Sequence, residues 1–181
     1  RYSTSGESEK QNSQPLVVRY KEGSLALAHN GNLVNADSLR EILEDDGVIF
    51  QTSIDTEVVA NMISRNFKGD IVRSIKNTME LVKGAYAFVV MTEKELIGVR
   101  DNYGLRPLCL GKRDDGYLLA SESCAISAMG GEFVRDIEPG EIVVINGDGI
   151  NSIKSEKYAQ QKLCIFEHVY FARPDSNLDG V

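Results

Sequence analysis

The sequence predicts an α+β protein in which helices and antiparallel strands form separate layers. Two observations lead to this fold class. Three stretches with helical spacing of apolar residues follow one another between residues 36 and 82, and short apolar strands separated by hairpin turns such as 113–116 dominate from residue 84 onward. Helices in one block and neighbouring strands in another favour mixed layers over a parallel βαβ arrangement.

The first part of the chain predicts a polar loop, a hairpin and a helix. Residues 5–14 are polar without periodicity, and two short strands, 15–20 and 24–29, flank a turn at 21–23. A helix is expected from Ala36 to Asp45, with Asn35 as N-cap and a buried face of Leu39, Ile42 and Leu43. Residues 48–52, "VIFQT", predict a short strand.

The remainder predicts two more helices and a series of strands. One helix begins within 53–57, "SIDTE", and the next covers about 70–82. The later elements are a short helix at 124–129 and strands at 85–91, 95–101, 108–112, 117–121, 133–137, 141–145 and 150–155.

Charge and composition exclude several classes of function. The 181 residues have a net charge of −7, which argues against nucleic-acid or anionic-membrane partners. No run of 18 apolar residues occurs, so no membrane-spanning helix is predicted. Three widely spaced cysteines do not form a disulfide framework and fit a reducing, cytoplasmic environment.

Asn30-Gly31 is the first candidate for chemistry. Asn-Gly is a strong hairpin signal, but a helix and not a second strand follows, so we interpret the pair as a strand-to-helix turn. Glycine permits close approach to its backbone N–H, and the asparagine amide is a second donor. Two such donors could stabilise an oxyanion, although a turn without chemical function is the alternative.

Arg1 and Asp55 are candidates for binding a free amino acid. A guanidinium binds a carboxylate through two hydrogen bonds, and a carboxylate binds an ammonium group. The alternatives are a solvated Arg1 and a capping role for Asp55. Both histidines, His29 and His168, lie in apolar, strand-like contexts that favour structural roles.

Several longer stretches resemble one known family. The chain is similar to glutamine-dependent amidotransferases of the N-terminal-nucleophile class, and more closely to the glutamine phosphoribosylpyrophosphate amidotransferase family. The resemblance covers essentially the whole chain and implies an αββα sandwich of two antiparallel sheets between helical layers, incomplete at its N-terminus. The stretches are "RYST" (1–4), "LAHNGNLVNA" (27–36), "FQTSIDTEV" (50–58), "KGAYAFVVMTE" (83–93), "GLRPLCLG" (104–111), "ASESCA" (120–125), "EPGE" (138–141) and "YFARPDS" (170–176).

The resemblance also implies roles for individual residues. Arg1 would bind the α-carboxylate of glutamine, and Thr4 would line the same pocket. Asn30 and Gly31 would form the oxyanion hole. Asp55 would bind the α-amino group.

One departure concerns the nucleophile. The family uses a cysteine at the mature N-terminus, whereas position 1 here is arginine, and Cys109 and Cys124 lie in strand and helix contexts that do not match it. We therefore expect a fragment that is inactive alone, with the cysteine upstream. Residues 1–160 would be the glutaminase domain without its N-terminal segment, and 161–181 would lead into a phosphoribosyltransferase domain.

The whole enzyme implied by the resemblance catalyses the first step of de novo purine synthesis. It hydrolyses glutamine and transfers ammonia to phosphoribosylpyrophosphate, and it is expected to be a homo-oligomer. No cofactor is expected within the fragment. Elsewhere in the full enzyme, Mg²⁺ and a [4Fe-4S] cluster are implied, with Cys164 as one of four cluster ligands or, alternatively, a small buried hydrophobic residue.

Two other functions remain open. One is the glutaminase half of an aminosugar synthase, against which Asn32 and the "GLRPL" and "SESCA" stretches count. The other is a catalytically inactive glutaminase-like binding module, which only the missing cysteine supports.

Overall fold

A computed structural model describes residues 10–114, 116–154, 160–162 and 164–180. A 3-10 turn, Lys10–Asn12, precedes the first strand, and a π-helical turn, Glu167–Phe171, lies near the end. Among the described residues, no helix is long and apolar enough to cross a membrane. The strands and helices are β1 (Leu16–Tyr20), β2 (Gly23–Leu33), α1 (Ala36–Asp45), α2 (Asp55–Asn66), α3 (Ile71–Leu81), β3 (Gly84–Met91), β4 (Leu96–Arg100), β5 (Cys109–Arg113), β6 (Gly116–Ala120), α4 (Ser123–Ala128), β7 (Glu132–Asp136), β8 (Glu141–Asn146) and β9 (Gly149–Lys154).

The strands form two antiparallel sheets. The first sheet has the order β1-β2-β3-β4-β8-β9, and the second sheet has the order β6-β5-β7. One face of the first sheet packs on α1, α2 and α3, and the other face packs on the second sheet. Helix α4 covers the far side of the second sheet, where a Cβ added to Gly111 would lie 2.5 Å from Ile126 Cγ2. The predicted αββα sandwich is confirmed.

Successive residues of strand β8 are buried in two different hydrophobic cores, one on each face of the first sheet. Ile142 and Val144 are buried against the helices, while Val143 is buried between the two sheets. Successive side chains of a strand point to opposite faces, so a strand in the middle of a sandwich is apolar at every position. This explains why "EIVVI" shows no polar alternation.

The interpretation of Asn30-Gly31 as a turn is wrong. Strand β2 continues through both residues to Leu33, and Gly31 pairs with Tyr86 of β3. Gly31 has φ +143°, and an added Cβ would lie 2.0 Å from the carbonyl oxygen of Ala85. Long-range pairing with β3 therefore overrides the local turn preference, and the close approach of β3 requires glycine.

Three smaller expectations also differ from the structure. Residues 48–52 belong to neither sheet, and Ile42 is 58% exposed whereas Leu43 is 7% exposed. Helix α1 has the predicted bounds, but the Asn35 side chain does not cap it. The Asn35 amide instead donates to Leu81 O (3.0 Å) and accepts from Lys83 N (2.8 Å), because it joins the start of α1 to the end of α3.

Candidate functional site

A cavity of about 590 Å³ lies where β2, the start of α2 and the C-terminal segment meet. One side, here called the sheet wall, consists of His29, Asn30 and Gly31 of β2 with Asp55 of α2. Another part of the lining, here called the C-terminal wall, consists of Arg106 together with Glu167 and Phe171 from the segment 164–180. Ser121 and Glu122, between β6 and α4, also line the cavity.

Asp55 is the most buried charged group of the sheet wall. It is 4% exposed, and its carboxylate lies 3.2 Å from His29 Nδ1 and accepts a hydrogen bond from Leu33 N at 3.1 Å. Asp55 is the first residue of α2 and Ile54 is the N-cap, so Asp55 connects the helix to β2 and does not cap it. The N-terminal end of a helix also favours a carboxylate electrostatically.

The surroundings of Asp55 keep it ionised. Burial by itself raises the pKa of this carboxyl, but the hydrogen bond and charge of His29 and the backbone N–H groups of Leu33 and Thr56 outweigh burial, and the pKa is lowered from 3.8. The ionised carboxylate lines the cavity, and an ammonium group is a chemically suitable partner for such a charge.

Asn30 lies on the opposite face of β2 from His29 and points toward the second sheet. Its amide nitrogen donates to Ser121 Oγ at 3.2 Å. This hydrogen bond connects β2 of the first sheet to the residue that follows β6 of the second sheet. The donor predicted for an oxyanion is thus held in a defined orientation at the cavity.

Gln14 ties the chain before β1 to the sheet wall. Its carbonyl oxygen accepts from His29 N (2.9 Å), and its amide nitrogen donates to Thr56 Oγ1 (3.3 Å). The side chain thereby links β2 to α2 next to both Asn30 and Asp55. A polar residue in a loop consequently helps to shape the site.

The C-terminal wall is attached by buried ion pairs. Arg106 forms an ion pair with Glu167, and its guanidinium carbon lies 5.0 Å from the ring centroid of Phe171. Arg100 is 2% exposed, donates to both carboxylate oxygens of Asp179 (2.8 and 2.9 Å), and also donates to three backbone carbonyls. The segment 164–180 is therefore a part of the folded domain and encloses one side of the cavity.

The same segment is attached beside Ser121. Glu122 Oε2 accepts from Arg173 N (2.9 Å) and from Ser176 Oγ (2.7 Å). The Ser123 hydroxyl accepts from Asn177 N at 2.7 Å. The chain immediately after Ser121 is consequently fixed by residues more than 50 positions away.

The structure brings together three of the residues predicted from the sequence. Asn30, Gly31 and Asp55 line one cavity, and their catalytic or binding roles stay predictions. Arg1 and Thr4 lie outside the described residues.

Cys109 and Cys164 lie in different environments. Cys164 is partly exposed in the C-terminal segment, and the described residues contain no group of three His, Cys, Asp or Glu side chains that could bind a metal. Cys109 is buried and donates to Ala120 O, and burial raises its pKa to about 12. A thiol with so high a pKa is a poor nucleophile and metal ligand at neutral pH, whereas Cys164 is open to a partner.

Sequence reasoning missed two groups of residues at the cavity. His29 was interpreted as structural although it adjoins Asn30, and it is the partner of Asp55. Ser121, Arg106 and Glu167 reach the cavity only through contacts between distant parts of the chain. Ser121 lies in the stretch "SESCA" and Arg106 in the stretch "GLRPL", but no local pattern indicated which residues these side chains contact.

Comparisons with known proteins identify the family of this chain. The glutamine amidotransferase domain family matches residues 1–128. The amidophosphoribosyltransferases of Archaeoglobus fulgidus and Bacillus subtilis are 46% and 48% identical, and each alignment covers 100% of this chain. A solved structure of the glutamine phosphoribosylpyrophosphate amidotransferase from B. subtilis, complexed with ADP and GMP, superposes with a TM-score of 0.93 at 48% identity and covers 100% of this chain.

The matched proteins are longer than this chain. It spans 40% of the A. fulgidus protein, 38% of the B. subtilis protein and 39% of the chain in the solved structure. The family match covers more than two thirds of the chain and includes the whole sheet wall. The chain belongs to the glutamine amidotransferase domain family, and amidophosphoribosyltransferases are its high-identity relatives.

Proposed function

We propose that this chain is the glutaminase part of an amidophosphoribosyltransferase. In the full enzyme, glutamine hydrolysis supplies ammonia that converts phosphoribosylpyrophosphate to phosphoribosylamine, with release of pyrophosphate. The observation that carries the proposal is the meeting of Asn30, Gly31 and Asp55 on one cavity. These residues provide an amide donor, a glycine backbone and an ionised carboxylate, which suit the side-chain carbonyl and the α-amino group of glutamine.

Binding of glutamine uses charges already present in the ground state. Its α-ammonium group pairs with Asp55, which the lowered pKa keeps ionised at neutral pH. Arg1 binds the α-carboxylate and Thr4 lines the same pocket, as the family resemblance implies. Glutamine bound in this way directs its side-chain carboxamide toward Asn30 and Gly31.

Hydrolysis then proceeds through a thioester. The thiol of an N-terminal cysteine, upstream of Arg1, attacks the carboxamide carbon while the terminal amine takes its proton. The carbonyl electrons move to oxygen, and the Asn30 amide donates a hydrogen bond to this oxyanion beside Gly31. As the intermediate collapses, the amide nitrogen takes the proton from the terminal ammonium group and leaves as ammonia. Water then hydrolyses the thioester to glutamate and the free thiol.

Two substitutions in the full enzyme test the site. We expect Asn30→Ala to lower kcat for glutamine hydrolysis by about 10²–10³-fold, because the donor acts on charge that exists only in the transition state. Asp55→Ala is expected to raise the KM for glutamine, since Asp55 binds a group that is charged in the ground state. Synthesis from added ammonia should survive both changes, because it needs only the second domain.

Asn151→Ala is the matched control, because Asn151 lies exposed on β9 in the edge strand of the first sheet. It should leave both activities unchanged. The proposal is wrong if the full-length protein does not hydrolyse glutamine. The assignment of Asn30 is wrong if Asn30→Ala keeps glutaminase activity or lowers the ammonia-dependent reaction to the same extent.

The nucleophile can be tested separately. The chain from Arg1 to Val181 should show no glutamine turnover, because it contains neither the thiolate nor the terminal amine that the mechanism uses. Joining it to the upstream segment with a terminal cysteine should restore turnover. Activity of the isolated chain would contradict this assignment.

Cys164 is part of the same proposal as one ligand of an iron–sulfur cluster. Its partial exposure fits a thiolate that meets ligands from another part of the protein, but it cannot bind the cluster alone. In the full-length protein, Cys164→Ser should lower iron content and visible absorbance, and Cys124→Ser is the control. Unchanged iron content would contradict this role.

Mg²⁺ at the second domain, homo-oligomeric assembly and a cytoplasmic location complete the proposal.

A further inference from the structure

We infer that Ser121 is a positioning residue for the oxyanion donor Asn30, an inference that rests on the proposed function. Ser121 Oγ accepts a hydrogen bond from the Asn30 amide nitrogen at 3.2 Å, and both side chains line the cavity. A carboxamide nitrogen has two N–H groups. The bond to Ser121 uses one of them and fixes the plane of the amide, so that the second N–H is presented to the oxyanion.

Asn30 needs such a partner because its own backbone does not fix its side chain. The asparagine χ2 torsion is broad, so an unsupported amide samples several orientations at the cavity. Strand β2 fixes the backbone of Asn30 through its pairing with Ala87, but it does not fix the amide plane. A donor acts on the transition state only when it already points at the developing charge.

Ser121 is itself well fixed. It directly follows β6, whose last residue, Ala120, pairs with Cys109 of β5. Glu122, the next residue, is held by Arg173 N and Ser176 Oγ of the C-terminal segment. The second sheet and the segment 164–180 thus fix the backbone of Ser121 from both sides, although neither contains the oxyanion donor.

A role through Asn30 makes specific kinetic predictions for the full enzyme. We expect Ser121→Ala to lower kcat for glutamine hydrolysis about three- to tenfold, the range of one neutral hydrogen bond, with little change in the KM for glutamine. Ser121→Thr keeps the hydroxyl and should restore most of the rate. Synthesis from ammonia should be unchanged.

The decisive measurement is a double-mutant cycle. In the Asn30→Ala background, Ser121→Ala should lower kcat no further, because the group that it positions is already gone. Ser127→Ala is the matched control: Ser127 lies on α4, only six residues away, and its hydroxyl bonds within that helix to Ser123 O. It should leave kcat unchanged.

The outcomes separate this inference from the proposed function. A full-length protein without glutaminase activity contradicts both. If Asn30→Ala impairs hydrolysis while Ser121→Ala leaves kcat unchanged, only the positioning role is wrong. If Asn30→Ala and Ser121→Ala act independently, or if Ser121→Ala raises the KM for glutamine, Ser121 contacts the substrate directly. Either result would also overturn the positioning role.

Discussion

The two walls of the cavity are built by different means. The sheet wall consists of neighbours in β2 and the first residue of α2, and the backbone pairing of β2 with β3 fixes most of it. The C-terminal wall is attached through side-chain ion pairs of Arg100 and Arg106 with residues far along the chain. Backbone pairing holds a strand in place without charged side chains. Ion pairs, in contrast, bury charged groups, and each of these groups needs a partner of opposite charge.

The two walls also differ in how much buried apolar surface holds them in place. The strands of the sheet wall belong to the main core, where Leu25, Leu27, Phe88 and Val90 pack against the helices. The segment 164–180 contributes few buried residues, chiefly Glu167 and Leu178, and exposes many large apolar ones: Ile165, Phe166, Val169, Tyr170 and Phe171. We therefore expect the C-terminal wall to detach at lower free energy than the sheet wall.

Arg100→Met should have the largest effect on stability. It removes a guanidinium that is 2% exposed and leaves Asp179 and the carbonyls of Gly104, Arg106 and Ile137 without their donor. Breaking such a buried pair from one side costs about 3–5 kcal/mol. Urea denaturation measures the loss.

Limited proteolysis of Arg100→Met should show that the C-terminal wall opens separately from the sheet wall. Cleavage within 164–180 should become faster, while hydrogen exchange of the β2 and β3 amides stays slow. Equal loss of protection in both walls would show that they unfold as one unit.

Gly31→Ala should have the next largest effect. The new Cβ would combine an unfavourable φ of +143° with a 2.0 Å approach to the backbone oxygen of Ala85, which cannot rotate away. We expect a loss of about 2–4 kcal/mol in the free energy of unfolding. Gly47→Ala is the control: φ is +84° and nothing lies within 4 Å, so only backbone strain of about 1 kcal/mol applies. Equal losses would refute the close-approach argument.

Asp55→Asn should reduce stability in a pH-dependent manner. The pKa of Asp55 in the folded protein lies below 3.8, so the ionised group stabilises the fold above about pH 4 and loses this contribution as pH falls through its folded value. We expect the variant to be less stable by about 1–3 kcal/mol at neutral pH, because His29 and Leu33 N lose a charged acceptor. Urea denaturation between pH 7 and 3 should show the difference narrowing, whereas a difference independent of pH would contradict the prediction.

Glu122→Gln should have the smallest effect. Its Oε2 joins Arg173 and Ser176 to the chain beside Ser121, and glutamine keeps an acceptor but loses the charge. We expect a loss of about 0.5–1.5 kcal/mol and modestly faster proteolysis of 164–180. Glu132→Gln, at an exposed position of β7, should change neither quantity.

Sequence patterns alone predicted the fold class and three of the four residues of the sheet wall, Asn30, Gly31 and Asp55. Periodic apolar residues predicted α1, α2, α3 and most strands, because local spacing decides which face of an element is apolar. Asn30, Gly31 and Asp55 were found because they lie in recognisable short stretches. Local signals misled at Asn30-Gly31, where the expected turn is a strand, and at 48–52, where the expected strand is absent.

The contacts that close the cavity depend on the three-dimensional packing of distant parts of the chain. Glycine at position 31 reflects the approach of β3, more than 50 residues later, and Ser121 meets Asn30 across 91 positions of sequence. Glu167 and Asp179 reach Arg106 and Arg100 in the same manner, across 61 and 79 positions. Side-chain periodicity records whether a residue is buried, but not which distant group it contacts. The partners of buried polar groups are therefore fixed by the packing of the two sheets and the C-terminal segment.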